Sequence, residues 1–521
     1  MAVRAIAAAR RAPRAPRTFG RSTPAPVGGW NARDALSDMD ERDAVTLDNW
    51  FPGTSTVMLR GGQAAHATGL TTAVESLMPY ADGTKTELFA AANSAIYDVT
   101  SSGAVGAAKV SSLTNNRWQH VNFGTSADEF LIAVNGADSM QQYDGTTWRT
   151  ITDVSSPAIT GVTTANLAHL NVFKTRLFLI EINKLSFWYL GAGANSGAAT
   201  EFNLGTYCRL GGSTMAMGTW TRDSGDGVDD LAVFVTSEGE VLIFSGTDPG
   251  NASAWALIGR FEIGAPIGRR CMIKAGSELI IITVDGIAPL SRLLRTARTD
   301  ERANLTDKIS GAFEAAARDY GANFGWQGIL YPRGNKVLFN IPTVAGSASH
   351  QYVANTTTGA WCRFTGWNAF SWAVFNDELY MGGAGVVDKA DTGLSDKGAN
   401  IETEAKTAFT YLGQRGRTKK FNMVRPNFIT DGGIEPALTV NVDFEDTPPT
   451  GVASFTPGEG AEWDVADWDE ADWGSSGQPV VDWIPVAGTG YAAAIYLRTA
   501  SNANVIEWSS TDWLWEQGGV L

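Results

Sequence analysis

A hairpin pattern recurs along this chain: an apolar strand, a short turn of Asn, Ser, Asp or Gly, and a second apolar strand. Successive copies begin roughly 40 to 60 residues apart, which is close to the length of one β-propeller blade. A lone hairpin cannot bury its apolar face, whereas hairpins packed around a common axis can. The copies occupy residues 88–97, 130–143, 177–188, 231–244, 279–290, 337–353 and 379–387.

The turns inside these copies have β-hairpin chemistry. In the second copy Asn135-Gly136 follows an apolar strand, and in the fourth copy the turn falls at Glu238-Gly239. Such turns favour antiparallel strand pairs. The sequence therefore predicts an all-β fold: an irregular β-propeller of six or seven blades, an additional C-terminal β-rich domain and an extended N-terminal arm. A β-sandwich or several small β-domains would show similar turns and stays as the alternative.

Shifts in composition predict four parts of the chain. Residues 1–28 form an Arg- and Pro-rich extended arm, and residues 29–75 form an entry segment that is expected to complete the ring or a platform. The propeller is expected over residues 76–395, and a β-rich domain with an acidic, Trp-rich loop over residues 396–521.

One helix is expected inside the propeller region, near residues 304–320. Thr306 is its predicted N-cap, and Gly321 is predicted to end it. Its apolar stripe recurs at helical spacing and consists of Ile309, Phe313, Ala317 and Tyr320.

Residue types that commonly carry chemistry are scattered. The three Cys form no CxxC pair, and the four His are dispersed. The chain has no GxxxxGK[ST] phosphate loop, and no GxGxxG motif follows a strand in a βαβ context. No run of 18 apolar residues exists, so no membrane span is expected. We therefore expect no catalytic residue, no metal, no cofactor and no enzymatic activity.

Residues 222–230 are similar to the Ca²⁺ loops of integrin-type propeller repeats. Asp226, Gly227 and Asp230 match that pattern, but Arg222 and Ser224 stand where ligands are expected. Replacing a hard anionic ligand by a cation weakens such a site. The segment is therefore interpreted as an acidic turn that leads into a blade.

Adjacent carboxylates raise the question of a glycosidase. Candidate pairs are Asp229-Asp230 and Asp469-Glu470. Glycoside hydrolysis needs two carboxyl groups at a defined separation across a cleft, which adjacency in sequence does not provide.

Charge is distributed unevenly along the chain. The first 30 residues contain six Arg and no Lys, Asp or Glu, so they carry +6, whereas the whole chain carries −15. From residue 441 onward the sequence contains 14 acidic residues and one basic residue, Arg498. The arm lacks the long apolar stretch of a secretory signal; it resembles a transit peptide or a nucleic-acid-binding tail, and a partner subunit is its favoured binding site.

The segment 462–473 is acidic and contains a Trp at every fifth position. Five is neither the strand period nor the helix period, so a loop that follows a groove is expected. Trp supplies a large apolar surface, and the carboxylates between the rings face water or an Arg. Contact with a neighbouring subunit is favoured over carbohydrate binding.

Several stretches after the arm form a recognisable set. They are Gly29-Trp-Asn-Ala-Arg33, Leu47-Asp-Asn-Trp-Phe-Pro52, Leu59-Arg-Gly-Gly62, the blade region 234–268, Leu305-Thr-Asp-Lys-Ile309 and the terminal Trp508-Ser-Ser-Thr-Asp-Trp-Leu-Trp-Glu-Gln-Gly-Gly519. With these stretches the chain resembles, along most of its length, the tail nozzle proteins of short-tailed bacteriophages, also called tail tubular protein B and related to the packaged-DNA stabilisation proteins.

This resemblance implies a structural protein of the virion tail. Six copies are expected to form a nozzle below the portal and adaptor, which retains packaged DNA and opens for ejection. The implied partners are further copies of the chain, the head-to-tail connector, tail fibres or spikes, and genomic DNA in the channel. Residues expected to contact partners are Arg4, Arg10, Arg11, Arg14, Arg17, Arg21, Trp30, Trp50, Trp463, Trp468, Trp473 and Trp513.

Two other functions stay open. One is a propeller adhesin that binds a host glycan or receptor, which exposed Trp pairs and a working Ca²⁺ site would favour. The other is a tail-borne polysaccharide hydrolase, which a carboxylate pair in a cleft would favour.

Overall fold

The computed structural model describes residues 17–126, 128–223, 228–293, 304–458, 478–480 and 482–518. Within them, seven small antiparallel sheets follow one another along the chain, and their innermost strands contact each other in sequence order. The innermost strand of the last sheet also contacts that of the first, so the ring is closed. The predicted all-β propeller is confirmed, and it has seven blades rather than the arrangement of a β-sandwich.

Each recurring hairpin forms the second and third strands of one blade. The strands from the first residue described to the end of blade three are β1 (Thr18–Pro24), β2 (Gly29–Trp30), β3 (Asp43–Asp48), β4 (Trp50–Pro52), β5 (Val57–Leu59), β6 (Gln63–Thr68), β7 (Ser76–Ala81), β8 (Thr86–Ala92), β9 (Ala95–Asp98), β10 (Gly103–Ala104), β11 (Gln119–Gly124), β12 (Glu129–Val134), β13 (Met140–Tyr143), β14 (Trp148–Ile151), β15 (Ile159–Thr160), β16 (Leu167–Phe173), β17 (Arg176–Glu181), β18 (Ser186–Tyr189), β19 (Gly197–Ala198) and β20 (Thr200–Asn203).

Blades four to seven and the strands after them complete the described chain. They are β21 (Thr214–Asp223), β22 (Val228–Thr236), β23 (Glu240–Gly246), β24 (Trp255–Glu262), β25 (Met272–Ala275), β26 (Glu278–Thr283), β27 (Gly286–Pro289), β28 (Gln327–Tyr331), β29 (Lys336–Val344), β30 (Ala348–Asn355), β31 (Trp361–Phe364), β32 (Ser371–Phe375), β33 (Glu378–Gly382), β34 (Val387–Ala390), β35 (Ile401–Thr407), β36 (Lys419–Thr430), β37 (Gly433–Glu435), β38 (Ala437–Val442), β39 (Ser454–Thr456), β40 (Gln478–Val480), β41 (Ile484–Gly490), β42 (Ala493–Ser501) and β43 (Ile506–Gln517).

The second strands of the blades are apolar almost throughout. In β12 five consecutive residues from Phe130 to Val134 are buried, and β8 and β26 show the same pattern. A strand between two neighbouring blades is covered on both faces, so it shows a continuous apolar run instead of alternation. The tight turn after β8 places Asn93 and Ser94 at φ of 54° and 55°, as a two-residue hairpin turn requires.

The last blade is completed by a strand from the beginning of the chain. β6 pairs antiparallel with β34, so the sheet of blade seven has the strand order β32-β33-β34-β6, with the short β10 pairing parallel to β6 at its edge. Segment 29–75 thus contributes the fourth strand of the blade that closes the ring.

The remaining N-terminal strands pair with strands from the C-terminal part of the chain. β43 pairs with β36 on one side and with β1 and β5 on the other. In a second sheet, β3 joins β31 of blade six to β35, which pairs with β42. We call these N- and C-terminal strands the platform. Its sheet with β3, β35 and β42 is continuous with blade six, whereas its sheet with β43 and β36 contains no blade strand.

The helix begins later than the sequence predicts and ends at Tyr320, before Gly321, as predicted. Helix α1 spans Leu290–Leu293, and the expected helix α2 spans Ser310–Tyr320 after a 3₁₀ turn at Asp307–Ile309. The side chain of Thr306 does not cap the helix; instead its hydroxyl accepts a hydrogen bond from the Ile287 N–H at 3.2 Å. Gly321 follows the last turn with φ of −58°, so it does not adopt the left-handed conformation of a glycine cap.

An aromatic cluster fixes blade three against blade four, and it generates a test of the packing. The fully buried Phe187 stacks on Phe234 with ring centroids 4.5 Å apart. We expect Phe187→Ala to lower the free energy of unfolding by about 3–5 kcal/mol, because it leaves a cavity between two blades. The midpoint of urea unfolding, followed by near-UV circular dichroism, measures the loss.

Val154→Ala is the matched control, because this side chain is 88% exposed and its truncation leaves no cavity. Equal unfolding midpoints for the two variants would contradict the assigned packing.

Candidate functional site

The arm residues that the structure describes lie at the edge of the platform. Arg4, Arg10, Arg11 and Arg14 lie outside the described residues, Arg17 is exposed, and Arg21 lies in β1. The Arg21 guanidinium donates to Glu41 at 2.8 Å in an exposed ion pair. Such pairs contribute about 0–1 kcal/mol, so Arg21 is held only weakly within its own chain.

The tryptophans predicted to contact partners are used inside the chain where the structure describes them. Trp30 is 8% exposed and packs edge-on against Tyr352, and Trp50 is fully buried beside Trp508. Trp513 is 1% exposed, and its indole N–H donates to the Thr23 hydroxyl at 3.0 Å. These three rings hold the platform together and present almost no surface to a neighbour. Trp463, Trp468 and Trp473 lie outside the described residues.

The motifs at Leu47–Pro52 and Leu59–Gly62 meet at one buried arginine. All five N–H donors of Arg60 have an acceptor: Nε donates to Asn49 Oδ1 at 2.8 Å, and Nη1 and Nη2 donate to the Asp396 carboxylate at 3.0 and 2.6 Å. The other two bonds go to the carbonyls of Gly61 and Thr365. Arg60 also lies over the Trp367 ring at 4.7 Å and is 2% exposed. The charge is therefore both paired and fully hydrogen-bonded, as a buried charge requires.

Asn49 connects this arginine to two other parts of the chain. Its Oδ1 also accepts from the Thr365 N–H, and its Nδ2 donates to the Glu402 carbonyl at 2.7 Å. Asn49 has φ of 58°, a left-handed conformation that Asn tolerates better than most residues. We call Asn49, Arg60, Thr365 and Asp396 the junction, because they join the N-terminal strands, blade six and the connection from blade seven to the platform.

The glycines after Arg60 permit a close backbone approach. A Cβ atom on Gly62 would lie 2.1 Å from the Ser395 carbonyl oxygen, which is far inside van der Waals contact. The pair Gly61-Gly62 therefore brings the N-terminal segment against the residues that precede Asp396.

A second group of motifs meets at the start of helix α2. The Lys308 ammonium donates to the Asp43 carboxylate at 2.6 Å and to the Gly28 carbonyl at 2.8 Å. The same carboxylate accepts from Asn31, and Arg33 forms an ion pair with Asp307. The stretches Gly29–Arg33 and Leu305–Ile309 thus recognise each other and attach the helix to the platform.

The terminal Trp motif forms the central strand of the larger platform sheet. Alternate residues Trp513 and Trp515 of β43 are buried on one face, and Asp512 on the other face pairs with Arg425 at 2.6 Å. The motif residues of all three groups therefore build the scaffold.

Among the described residues the candidates for nucleophilic or metal chemistry are poorly suited to it. Burial raises the pKa of Cys271 to about 12, and the pKa of Cys208 to about 11 with a smaller contribution from Glu240. Protonated thiols are weak nucleophiles and ligands. The described residues contain no group of three or more His, Cys, Asp or Glu side chains that could hold a metal ion.

Of the candidate carboxylate pairs, one member is hydrogen-bonded within the chain, and the side chains of the others lie outside the described residues. Asp230 accepts a hydrogen bond from the Thr221 hydroxyl at 2.7 Å, and the side chain of Asp229 lies outside the described residues, as do Asp469 and Glu470. Asp226 and Gly227 of the Ca²⁺-like loop also lie outside them.

A different carboxylate pair lines a platform cleft of about 440 Å³. Asp48 is paired with Arg363, and Glu404 is paired with Arg498 at 3.3 Å. Burial raises the pKa of Asp48, against the opposing effect of Arg363. Because each carboxylate has its own arginine, the pair is read as two structural ion pairs.

The propeller axis contains a cavity of about 510 Å³. Residues on or beside the innermost strands of six blades line it, from β7, β11, β16, β21, β25 and β28. We call it the axial cavity. A second cavity of about 370 Å³, the mouth, lies where these strands begin; it shares Gln119, Arg269 and Arg270 with the axial cavity.

Cations dominate both cavities. Arg117, Arg269 and Arg270 line the mouth, where Arg117 and Arg270 lie 4.5 and 5.0 Å from the ring of Phe324. Lys174 and Lys274 lie toward the opposite end of the axial cavity.

Two histidines lie between these groups of cations. Desolvation and the nearby Arg270 lower the pKa of His120 to about 4, and desolvation and Arg269 lower that of His169 to about 3. Both imidazoles are therefore neutral near pH 7. Although the sequence shows the four histidines as dispersed, the fold brings these two to one cavity.

Sequence reasoning did not single out this cavity. Its cations are separated by up to 157 residues, from Arg117 to Lys274, and the adjacent pair Arg269-Arg270 matches no motif. The one local signal is the position of these cations in the sequence. Each lies at or beside an end of the innermost strand of its blade.

Comparisons with known proteins bear on the fold. No family model matches the chain, and no match was found among curated proteins. Among solved structures, Saccharomyces cerevisiae Sqt1 is similar over 63% of this chain and 98% of its own, with 8% identity and a TM-score of 0.39. The β-propeller domain of Myceliophteria thermophila Cps50 (Swd1) is similar over 63% and 99%, with 11% identity and a TM-score of 0.38. BBS1N in complex with ARL6DN is similar over 66% and 100%, with 8% identity and a TM-score of 0.39.

Similarity this low carries no functional argument. The class that the structure defines is an all-β propeller with a platform built from both ends of the chain. The described residues include no helix long and apolar enough to cross a membrane.

The junction can be tested by a double-mutant cycle. We expect Arg60→Met to lower the free energy of unfolding by about 3–5 kcal/mol, because it leaves the Asp396 carboxylate without its partner. Asp396→Leu alone should be similarly costly, and the double variant should be less destabilised than the sum of the two. Differential scanning fluorimetry and urea unfolding give the three values.

Arg318→Met is the control for the loss of an arginine, since its side chain is 73% exposed beside Asp319. Additive effects of the two junction substitutions would contradict the assigned coupling.

Proposed function

We propose that this protein is the nozzle subunit of a short-tailed bacteriophage tail. Six copies would form a channel below the portal and adaptor, which retains packaged DNA and opens for ejection. The observation that carries the proposal is that motif residues resembling that family meet one another in space. The junction and the Lys308–Asp43 contact join the propeller region to the platform, and the β43 strand joins the N- and C-terminal strands within the platform.

The use of these residues supports a structural role over an enzymatic one. Their hydrogen-bond donors and acceptors form contacts within the chain, such as the five hydrogen bonds of Arg60. A subunit that withstands the pressure of packaged DNA needs this kind of cross-linking between its domains. Tail fibres or spikes would attach to the outer surface of the same ring.

The edge strand β1 supports assembly through the arm. Within the described residues, β1 pairs with β43 on one side and has no strand on the other. Its residues are largely exposed, and the arm continues from its N-terminal end. An unpaired edge followed by a cationic segment suits contact with an acidic neighbour, and the rest of this chain is acidic.

The charge balance also suits a DNA conduit. Tight binding of DNA comes largely from Lys and Arg contacts that release counterions. In this chain the 40 Lys and Arg are outnumbered by 55 Asp and Glu, so the net charge of −15 would oppose tight binding and let DNA slide along it.

The adhesin and hydrolase alternatives gain no specific support from the described residues. Three of the 18 tryptophans lie outside them, and the other 15 are buried or half-buried, so the described residues show no exposed Trp pair that could bind a glycan. A reducing-sugar assay on host envelope polysaccharide tests the hydrolase directly; release of sugar ends by the purified chain would favour it over the nozzle.

Electron microscopy and mass photometry of the purified chain test the nozzle. We expect rings with six-fold symmetry and an open centre, with a mass about six times the 55.5 kDa of one chain. Monomers alone, at concentrations up to tens of micromolar and also in the presence of the purified connector, would contradict the proposal.

The arm can be tested separately by deleting residues 1–16. We expect the deletion to shift the ring toward monomers, because it removes four arginines that we assign to contacts between copies or with the adaptor. Lys420→Gln, which removes an exposed charge on the platform, is the control and should leave the ring intact. Rings of unchanged stability after the deletion would remove the arm from the assembly contacts.

A further inference from the structure

We propose that the axial cavity of the propeller binds a small oxyanion that carries two or more phosphate groups. The proposal concerns one copy of the chain and does not depend on the nozzle assignment. It rests on the charges, the unmatched hydrogen-bonding groups and the size of this cavity.

The cations of the axial cavity lack counter-charges. Lys174, Arg269, Arg270 and Lys274 line it and form no ion pair within the described residues, whereas Asp230 is the single described carboxylate in its lining. The mouth adds Arg117, which is paired with Glu75 at 3.1 Å. Because the whole chain is acidic, this concentration of positive charge runs against its composition.

Desolvation makes the charge of Arg270 costly. Desolvation lowers the pKa of Arg270 to about 10; the nearby Glu75 carboxylate opposes this shift, and Arg117 adds to it. The Arg270 guanidinium is held by neutral acceptors: the Ser76 hydroxyl at 2.8 Å and the carbonyls of Glu75 and Trp118 at 2.9 and 3.0 Å. These hydrogen-bond acceptors are neutral, and the nearby Glu75 carboxylate is already paired with Arg117. An anion that enters the cavity would therefore gain a charge-assisted interaction with Arg270.

Two further groups present unmatched polar atoms. Arg269 is fixed through Nη1, which donates to the Met215 carbonyl at 2.9 Å, and no hydrogen bond is formed by its Nε or Nη2 within the described residues. His169 is 9% exposed and lines the cavity, and its Nδ1 has no partner. A buried polar atom without a partner, such as His169 Nδ1, costs free energy that a bound ligand would recover.

The chemistry of these groups selects the ligand. A guanidinium presents parallel N–H donors that match a phosphate or carboxylate edge, and an ammonium adds a point charge. Four cations without an ion pair, at the two ends of one cavity, match an anion with several charges better than a single carboxylate. The volume of about 510 Å³ is in the range of small-molecule sites, so a short polyphosphate or the phosphate chain of a nucleotide fits, whereas a folded nucleic acid does not.

Isothermal titration calorimetry with inorganic tripolyphosphate tests the site on the full chain. We expect saturable binding of one tripolyphosphate per chain, weakened by added NaCl. ATP and adenosine distinguish the sources of the phosphate chemistry: binding of ATP and not of adenosine supports the phosphate chain as the recognised group. Equal affinity for citrate would overturn the phosphate assignment, and absence of tripolyphosphate binding at millimolar concentration would overturn the site.

Lys274→Gln and Arg269→Gln locate the binding. Each substitution should weaken tripolyphosphate affinity about tenfold or more, since each removes a charge-assisted hydrogen bond. Lys420→Gln and Arg318→Gln are the matched controls on the exposed surface and should leave the affinity unchanged. Lys274 is exposed, so its variant keeps the test valid if Arg269→Gln fails to fold. Unchanged affinity in Lys274→Gln and in Lys174→Gln would place the bound anion elsewhere and contradict the proposal.

Discussion

The buried charge of Arg60 constrains how the whole chain assembles. A guanidinium out of water needs a counter-charge and five acceptors, and here they come from segments separated by more than 300 residues. The acceptors come together only when blade six, the connection after blade seven and the N-terminal strands are all in place. The propeller and the platform are therefore coupled: neither can leave its position without leaving this charge unpaired.

The same coupling appears in the strand pairing. β6 completes blade seven, β3 extends blade six into the platform, and β1 and β5 pair with β43. The N-terminal 70 residues thus contribute to the ring and to both large sheets. Because of these pairings, the C-terminal residues alone cannot form the platform. The Gly61-Gly62 pair lets the N-terminal segment lie close to the Ser395 backbone.

Local patterns predicted the blades because each hairpin is encoded within about 20 residues. An apolar run, a turn and a second run determine two strands together, so all seven hairpins are present where the pattern places them. The pairing of β6 could not be predicted in this way, since its partner β34 lies more than 300 residues later and only Ala67 of β6 is buried. The cap of α2 failed for a similar reason: a distant backbone N–H, that of Ile287, uses the hydroxyl of Thr306.

Tryptophan and arginine show the limits of residue type as a signal. A Trp buried by its own chain and a Trp buried by a partner have the same sequence signature, and Trp50 and Trp513 are buried by their own chain.

The arginines differ in how their hydrogen-bond donors are used. Arg60 has a partner for each donor, whereas Arg269 uses one amino group on a carbonyl and lies beside other cations without a carboxylate partner. Since a fold gains nothing from collecting unpaired cations around its axis, the contrast between a satisfied and an unsatisfied arginine separates the residues that build this protein from those that face a ligand.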